Sequence, residues 1–169
     1  MDGYGRFLDR DVLRHERVLP GTVEEVWEHL TQPEWLAGWL APGEIEPRVG
    51  GAVSFRWQEV SGGTAALGIV TVWDPPGRLA YSWQETASGS EVTFELEPAG
   101  EDRVLLRLTH RRMPWGEALG FAHGWHACLD ALVAQLDGQS AEAIRTAWKG
   151  ETIDKGVYSR LGESFGLVP

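Results

Sequence analysis

Cysteine is nearly absent from this chain of 169 residues, which contains Cys128 alone. A single thiol cannot form an internal disulfide, and it leaves too few sulfur ligands for a structural zinc site built from thiolates. The stability of the fold must therefore come from the burial of apolar side chains. We expect Cys128 to be a small buried hydrophobe and not a nucleophile, because it falls on the apolar stripe of a predicted helix.

Long apolar runs are also missing. The sequence contains no stretch of about 18 apolar residues that could span a bilayer, and residues 1–20 lack the apolar centre of a signal peptide. We therefore expect a cytoplasmic protein with no membrane insertion.

Basic residues are outnumbered by acidic ones. The chain has 15 Lys and Arg against 25 Asp and Glu, for a formal net charge of −10 and a pI near 4.9. Binding to the phosphates of nucleic acids requires clustered cations, and the sequence has no long basic run. We expect no nucleic acid partner.

Tryptophan, in contrast, is abundant, with nine residues in the chain. A domain of this length carries roughly two or three at usual amino-acid frequencies. The overall composition, 43% hydrophobic and 24% charged, is that of one globular domain with a normal core. The indoles therefore need a place to be buried, and their positions guide the search for a binding site.

The first third of the chain predicts a strand followed by two helices. Residues 11–19 alternate apolar and polar side chains imperfectly, which favours a half-exposed strand. Thr22 and Glu25 then form the pattern of a capping box at the start of a helix. Thr31 and Glu34 repeat that pattern and predict the start of a second, shorter helix.

The second short helix carries Trp35 and Trp39 on one face. Two helical turns are too few to be stable by their own propensity, so these indoles must dock onto another part of the molecule. We expect them to lie at the mouth of a core.

From residue 44 to residue 110 the pattern has period two, and turn sequences separate runs of roughly eight residues, which predicts an antiparallel meander of about six strands. Most of these strands have one apolar row and one polar row, which is typical of a sheet with a single covered face. The run ALGIVTVWD, residues 66–74, is apolar on both sides and does not fit this pattern.

The cover of the sheet is predicted to be a long helix that follows Pro114 and ends at Gly138. Its large apolar residues form one stripe, and a neighbouring stripe holds small residues, Gly120, Gly124, Ala127, Ala131 and Ala134. A glycine inside a helix costs about 1 kcal/mol relative to alanine. The two glycines therefore indicate either close backbone packing or a cleared wall along a cavity.

Four segments carry a resemblance to a known family: VLPGTVEEVWEHLTQPEWLAGWLAP, EPRVGGAVSF, TVWDPPGRLAYSW and HGWHACLDALVAQL. Over about residues 11–138, the chain resembles the START-like, birch-pollen-allergen-like superfamily, also called SRPBCC. Within that superfamily it is most similar to the small bacterial domains related to the activator of the heat-shock-protein ATPase.

The resemblance implies an α+β helix-grip fold. In this fold a curved antiparallel sheet of about six to seven strands wraps a long C-terminal helix, with two short helices after the first strand. A hydrophobic cavity lies between sheet and helix, and we expect it to bind a small aromatic or lipid-like molecule. The predicted ligand-binding residues are Trp35, Trp39, Phe55, Trp57, Tyr81, Trp83, Phe94, His110, Phe121 and Trp125. The alternative is that these side chains fill the core completely.

Two groups of polar residues could in principle support chemistry in this chain. His110 and Glu59 extend inward-facing rows and, if they converged, could perform acid–base chemistry in an enzyme of cyclase, aromatase or hydrolase type. His123, His126 and Asp130 fall on one side of the long helix and could in principle bind a metal, but their spacing is not a strong motif. Because strand ends are usually exposed and His126 with Asp130 forms an ordinary surface pair, we assign no catalytic residue, no metal and no cofactor.

The remaining residues, 139–169, form an extension beyond the resemblance, which leaves residues 1–138 as the helix-grip domain. Ser140 can cap a helix, and the rest is too apolar for a simple disordered tail. We expect the extension to pack on the small-residue stripe or on a second subunit, so a homodimer is one predicted assembly. A role in protein interaction, through contact with a chaperone, is what the resemblance to the ATPase activators implies.

Overall fold

A computed structural model describes residues 3–57, 65–83 and 89–167. It shows an α+β molecule in which an eight-stranded antiparallel sheet packs around one long helix, so the predicted helix-grip fold is confirmed. The strands are β1 Arg6–Asp9, β2 Val12–Pro20, β3 Gly43–Ile45, β4 Ala52–Arg56, β5 Ala65–Asp74, β6 Arg78–Ser82, β7 Glu91–Pro98 and β8 Arg103–Arg111. The helices are α1 Val23–Thr31, α2 Pro33–Trp39, α3 Ala118–Leu136, α4 Ala141–Lys149 and α5 Lys155–Ser164.

The strand order is β1-β2-β8-β7-β6-β5-β4-β3. The predicted count of six to seven strands is wrong, because β1 forms a hairpin with β2 at one edge of the sheet. The two short helices consequently follow the second strand and not the first. In β1 only Phe7 is buried, so the sequence offers no alternation from which this strand could be predicted.

The two short helices differ in how they begin. The predicted capping box of α1 is present, with Thr22 Oγ1 accepting from the amide of Glu25 and the Glu25 carboxylate accepting from the amide of Thr22. The predicted cap of α2 is wrong: Thr31 is the last residue of α1, and its hydroxyl donates to the carbonyl of Trp27. Gln32 precedes α2 without a side-chain cap, and Pro33 occupies the first turn, where no amide donor is needed.

The run that is apolar on both sides lies in β5, where Leu67 and Ile69 are exposed. Its pairing with β6 shifts between Val70 and Val72, as in a β-bulge. A bulge changes which face successive side chains occupy. Val70 therefore points into the core before the shift, and Trp73 packs on Trp27 after it, with ring centroids 5.1 Å apart.

Helix α3 crosses the concave face of the sheet and ends as predicted, with Gly138 in the left-handed region at φ 68°. Helices α4 and α5 of the extension both pack against α3. Tyr158 of α5 is buried, whereas α4 has no fully buried residue. Within the described residues, no helix is both long and apolar enough to cross a membrane.

Candidate ligand-binding site

A cavity of about 290 Å³ lies between the end of the sheet, α3 and α4. We call it the aromatic pocket, because five of its twelve lining residues are Trp or Phe. The aromatic lining consists of Trp57, Trp83, Phe121, Trp125 and Trp148, and the other lining residues are Leu40, Gly120, His123, Gly124, Ala127, Cys128 and Lys149. Lys149 is exposed and lies at the rim.

The indoles of the pocket contact one another. The ring of Trp83 lies 5.0 Å from that of Trp125 and 6.2 Å from that of Trp57, measured between centroids. The ring of Trp148, which comes from α4, stacks on Trp57 at 6.4 Å with an interplanar angle of 24°. These spacings and tilts are those of favourable aromatic pairs. The rings therefore hold one another in a connected wall.

One wall of the pocket is bare helix backbone. A Cβ atom added at Gly120 or at Gly124 would meet no atom within 4 Å, and both glycines line the pocket. Close backbone packing, the first explanation for these glycines, therefore does not apply. The absence of side chains at two positions one turn apart leaves room for a ligand against α3.

His110 lies behind this wall and is completely buried. The indole N–H of Trp125 donates to His110 Nδ1 over 3.2 Å. Because an indole nitrogen can only donate, Nδ1 must be the acceptor and the ring proton must be on Nε2. Nε2 lies 3.2 Å from Ser90 Oγ, and the Ser90 hydroxyl donates to the carbonyl of Trp83 at 2.7 Å. A single chain of hydrogen bonds thus links two walls of the pocket.

Burial lowers the pKa of His110 to about 3. The imidazole is therefore neutral at ordinary pH, and its one lone pair is occupied by Trp125. A histidine in this state cannot accept a proton from a substrate without breaking the contact that positions the indole. Glu59, the predicted partner of His110 in acid–base chemistry, lies outside the described residues.

The extension supplies the remaining wall. The indole N–H of Trp148 donates to the carbonyl of Leu40 over 3.0 Å, which joins α4 to the end of α2. Ser140 caps α4 by accepting from the amide of Ala143, and Gly150 ends the helix at φ 64°. These local signals place Trp148 in the last turn, facing α3 and the sheet.

Cys128 lies in the pocket wall and is buried. Burial raises the pKa of its thiol to about 12, so the thiolate that a nucleophile requires is not formed at neutral pH. The side chain acts as a small apolar part of the lining.

The ten predicted binding residues fall into three groups. Four of them line the pocket: Trp57, Trp83, Phe121 and Trp125. Four are buried close behind it, namely Phe55, Tyr81, Phe94 and His110, whose rings contact Trp83 or Trp125.

Trp35 and Trp39, predicted at the mouth of the cavity, lie elsewhere. Trp39 is 0% exposed, and its indole N–H donates to the carbonyl of His29 under α1. Trp35 is 40% exposed and stacks on the ring of His29 at 4.5 Å. The position at the mouth is taken by Trp148, on an element that the resemblance does not cover.

The predicted histidine cluster on α3 belongs to a separate network. His126 Nδ1 lies 2.8 Å from Tyr158 Oη, and its Nε2 lies 3.4 Å from Asp130 Oδ2. Arg17 reaches the other oxygen of Asp130 at 3.4 Å. Desolvation opposes ionisation of Asp130, but the hydrogen bond and charge of His126 and the guanidinium of Arg17 hold the pKa of this carboxyl below its usual value.

This network uses both ring nitrogens of His126 for contacts within the protein. In the described ranges, no group of three or more His, Cys, Asp and Glu side chains is arranged to hold a metal ion. His123 instead faces the aromatic pocket.

Sequence reasoning missed Trp148, Lys149, His123 and Leu40 as pocket residues. A signal exists for Trp148: Ile144 and Trp148 are four residues apart on α4, which otherwise consists of polar and small residues. Such a pair predicts an apolar stripe. The surface that this stripe covers could not be predicted, since it depends on how the extension folds back.

Comparison with known proteins agrees with the fold. The family model described as "Activator of Hsp90 ATPase homolog 1-like protein" matches residues 20–137. No curated protein matches the chain significantly.

Three solved structures illustrate the similarity. The protein encoded by gene BPP1335 of Bordetella parapertussis is 33% identical, with 88% of each chain covered and a TM-score of 0.66. CalU16 of Micromonospora echinospora is 26% identical, with 89% of this chain and 87% of that chain covered and a TM-score of 0.68. The Aha1 dimer of Colwellia psychrerythraea, at 22% identity, covers 74% of this chain and 95% of its own with a TM-score of 0.63, and indicates the fold alone.

Proposed function

This chain belongs to the family of activator of Hsp90 ATPase homolog 1-like proteins, and we propose that it binds a small aromatic molecule in the aromatic pocket. The observation that carries the proposal is the open space beside the backbone of α3 at Gly120 and Gly124. Two glycines in the middle of a helix lower its stability, and here neither is required by a close neighbour. The two glycines leave space beside the indoles of four lining residues, Trp57, Trp83, Trp125 and Trp148.

The size of the pocket limits the ligand. Its volume of about 290 Å³ lies at the small end of the ~300–1,000 Å³ range of small-molecule pockets. A ligand of one or two fused rings suits this space better than a long lipid chain. Flat rings would stack on Trp83, Trp125 or Trp148, where each aromatic contact adds about 0.5–1.5 kcal/mol beyond area burial.

The pocket walls are fixed before a ligand arrives. The Trp125 ring is held by His110, and the Trp148 ring is held by the carbonyl of Leu40. Side chains that are already ordered lose little conformational entropy on binding. This arrangement favours a binding protein over an acid–base enzyme centred on His110, whose lone pair is occupied.

Other predicted partners stay predictions. The Colwellia protein is a dimer by its own description, and the family is described through an activator of the Hsp90 ATPase. A homodimer of this chain, contact with a chaperone, and a cytoplasmic location are expectations that rest on the family and on the sequence.

The tryptophans provide the test. In a ¹H–¹⁵N spectrum each indole N–H gives a separate signal, so a ligand can be located by the signals that move. We expect a neutral two-ring compound, 2-naphthamide, to shift Trp57, Trp83, Trp125 and Trp148 saturably. Trp35, which stacks on His29 and does not line the pocket, is the internal control.

A variant that fills the aromatic pocket provides a second test of the proposal. Gly124→Leu places a side chain in the pocket, whereas Gly116→Leu adds the same side chain at an exposed glycine that does not line it. Loss of the shifts in the first variant and their retention in the second support the proposal. Equal shifts in both variants would place the binding site elsewhere.

A further inference from the structure

The distribution of lysine sets one side of the molecule apart. The chain contains two lysines, Lys149 and Lys155, and both belong to the extension. Lys149 lines the aromatic pocket. Lys155 lines a second cavity of about 300 Å³, which shares Gly120 and His123 with the aromatic pocket. Both ammonium groups of a protein with net charge −10 therefore flank the same part of α3.

The described residues that line the pocket include no Asp or Glu. Lys149 is the one residue among the twelve lining residues with a full charge at neutral pH, although Asp and Glu outnumber Lys and Arg by 25 to 15 in the chain. The described lining thus places one cation and no anion at the mouth of the pocket, although the protein as a whole is acidic.

The lysines are available to a ligand. Lys149 Nζ lies 3.9 Å from Glu151 Oε1, and both side chains are more than half exposed. An exposed pair of this length contributes little and is readily exchanged. Considering the described part of the chain, Lys155 has no carboxylate in ion-pair distance, although its charge acts on His123.

Two buried nitrogens of pocket residues also lack partners. Among the described residues, neither Trp83 Nε1 nor His123 Nε2 has a hydrogen-bond acceptor or donor. An indole nitrogen always donates, so Trp83 Nε1 is suited to an oxygen acceptor, and an unpaired buried donor is otherwise costly. Burial, and then the charge of Lys155, lower the pKa of His123, so its ring is neutral at ordinary pH.

From this juxtaposition we infer that the ligand of the aromatic pocket is an aromatic carboxylate, whose rings lie among the indoles and whose anionic group lies at the mouth beside Lys149. The inference rests on the proposed function, because it names the chemical class that the same pocket selects. Lys155 lines the neighbouring cavity together with Gly120 and His123 and supplies a second cation near the same part of α3.

The test compares two compounds that differ in charge and little in shape. Calorimetric titration of the full chain with 2-naphthoate and with 2-naphthamide measures the preference for the anion. We expect 2-naphthoate to bind about three- to fivefold more tightly at low salt, a ratio in the range of one exposed ion pair. The preference should shrink at high salt, because exposed charges are screened.

Two substitutions test whether Lys149 causes the preference for the anionic compound. Lys149→Gln should bind the two compounds equally, and a urea denaturation midpoint close to that of the wild type shows that the variant is folded. Arg145→Gln is the matched control, since Arg145 is exposed on the same helix and does not line the aromatic pocket. It should keep the preference.

Each other outcome overturns a stated claim. Equal binding of the two compounds to the wild-type chain would overturn the inference and leave the proposed function intact. A preference that survives in Lys149→Gln would overturn the role of that lysine. Binding of neither compound would count against both the inference and the proposed function.

Discussion

The indole nitrogen of Trp125 lies 3.2 Å from Nδ1 of His110, so a buried histidine positions a wall of the aromatic pocket and is itself withdrawn from chemistry. The same histidine reaches Ser90, whose hydroxyl donates to the backbone of Trp83. Strand β8, the adjoining ends of β6 and β7, and the long helix thus meet in one hydrogen-bonded unit behind the ligand space. The role of His110 is that of a positioning residue.

Replacement of His110 tests this role. His110→Ala removes the acceptor of a buried indole donor and leaves a cavity, and we expect a loss of about 3 kcal/mol in the free energy of unfolding. His110→Asn offers an amide oxygen near the position of Nδ1 and should recover part of that loss. Urea denaturation measures both. Unchanged stability in both variants would contradict the positioning role.

Substitution of Gly124, in contrast, should increase the stability of the protein. Because an added Cβ meets open space, Gly124→Ala should raise the free energy of unfolding by about 1 kcal/mol, the difference in helix propensity. Gly138→Ala is the contrast: its φ of 68° is strained for alanine, so we expect destabilisation by a similar amount. If Gly124→Ala destabilises the protein, the floor of the pocket is occupied and our description of it is wrong.

Tyr158 fastens the extension to the domain. Its hydroxyl oxygen accepts from the amide of Gly5 at 3.0 Å and lies 2.8 Å from His126 Nδ1. Tyr158→Phe should therefore cost about 1–2 kcal/mol in unfolding free energy and speed hydrogen exchange in α5. The neighbouring Ser159→Ala removes only an exposed hydroxyl bonded within the helix and should change stability by less than about 0.5 kcal/mol. Equal effects of the two substitutions would contradict the anchoring role.

Stability should fall in weakly acidic solution. Burial lowers the pKa of both His110 and His15 to about 3, from an ordinary value of 6.5. Between about pH 6.5 and pH 3 these histidines bind protons in the unfolded chain but not in the native state. As the pH falls through this interval, each histidine therefore lowers the free energy of unfolding by about 1.4 kcal/mol per pH unit. Above pH 7 both states are neutral at these positions and the contribution to pH dependence vanishes.

Urea denaturation at pH 7.5, 6.0 and 5.0 checks this slope, since most carboxylates remain ionised over that interval. In His15→Leu we expect the slope to fall by the share of one histidine, about 1.4 kcal/mol per pH unit. A free energy of unfolding that is constant from pH 7.5 to 5.0 would show that neither histidine is shielded from protons.

Much of the fold could be predicted because its signals are local. The capping box at Thr22, the glycine stop at Gly138 and the one-sided strands all follow from neighbouring residues, and each is present. Strand β1 could not be predicted, since Phe7 alone gives no period. The bulge after Val70 could not be predicted either, because apolar residues lie on both faces of the strand around it and give no clear period.

The binding site was less predictable, because it depends on packing between distant segments. Trp35 and Trp39 share a helix face by spacing, yet only Trp39 is buried, since its N–H finds a carbonyl under α1. The spacing of residues in α3 identified the glycines but left two explanations, and the empty space beside them decides between these. Trp148 takes its place only after α4 folds back onto α3, which no local pattern specifies.

Titration with 2-naphthamide, followed in the indole region of the ¹H–¹⁵N spectrum for the wild-type chain and for Gly124→Leu, decides whether the aromatic pocket binds a ligand. We predict saturable shifts of Trp57, Trp83, Trp125 and Trp148 in the wild type, an unchanged Trp35, and no shifts in the variant. Wild-type indoles that do not move, or shifts that are identical in Gly124→Leu, would contradict the claim that this cavity is the binding site.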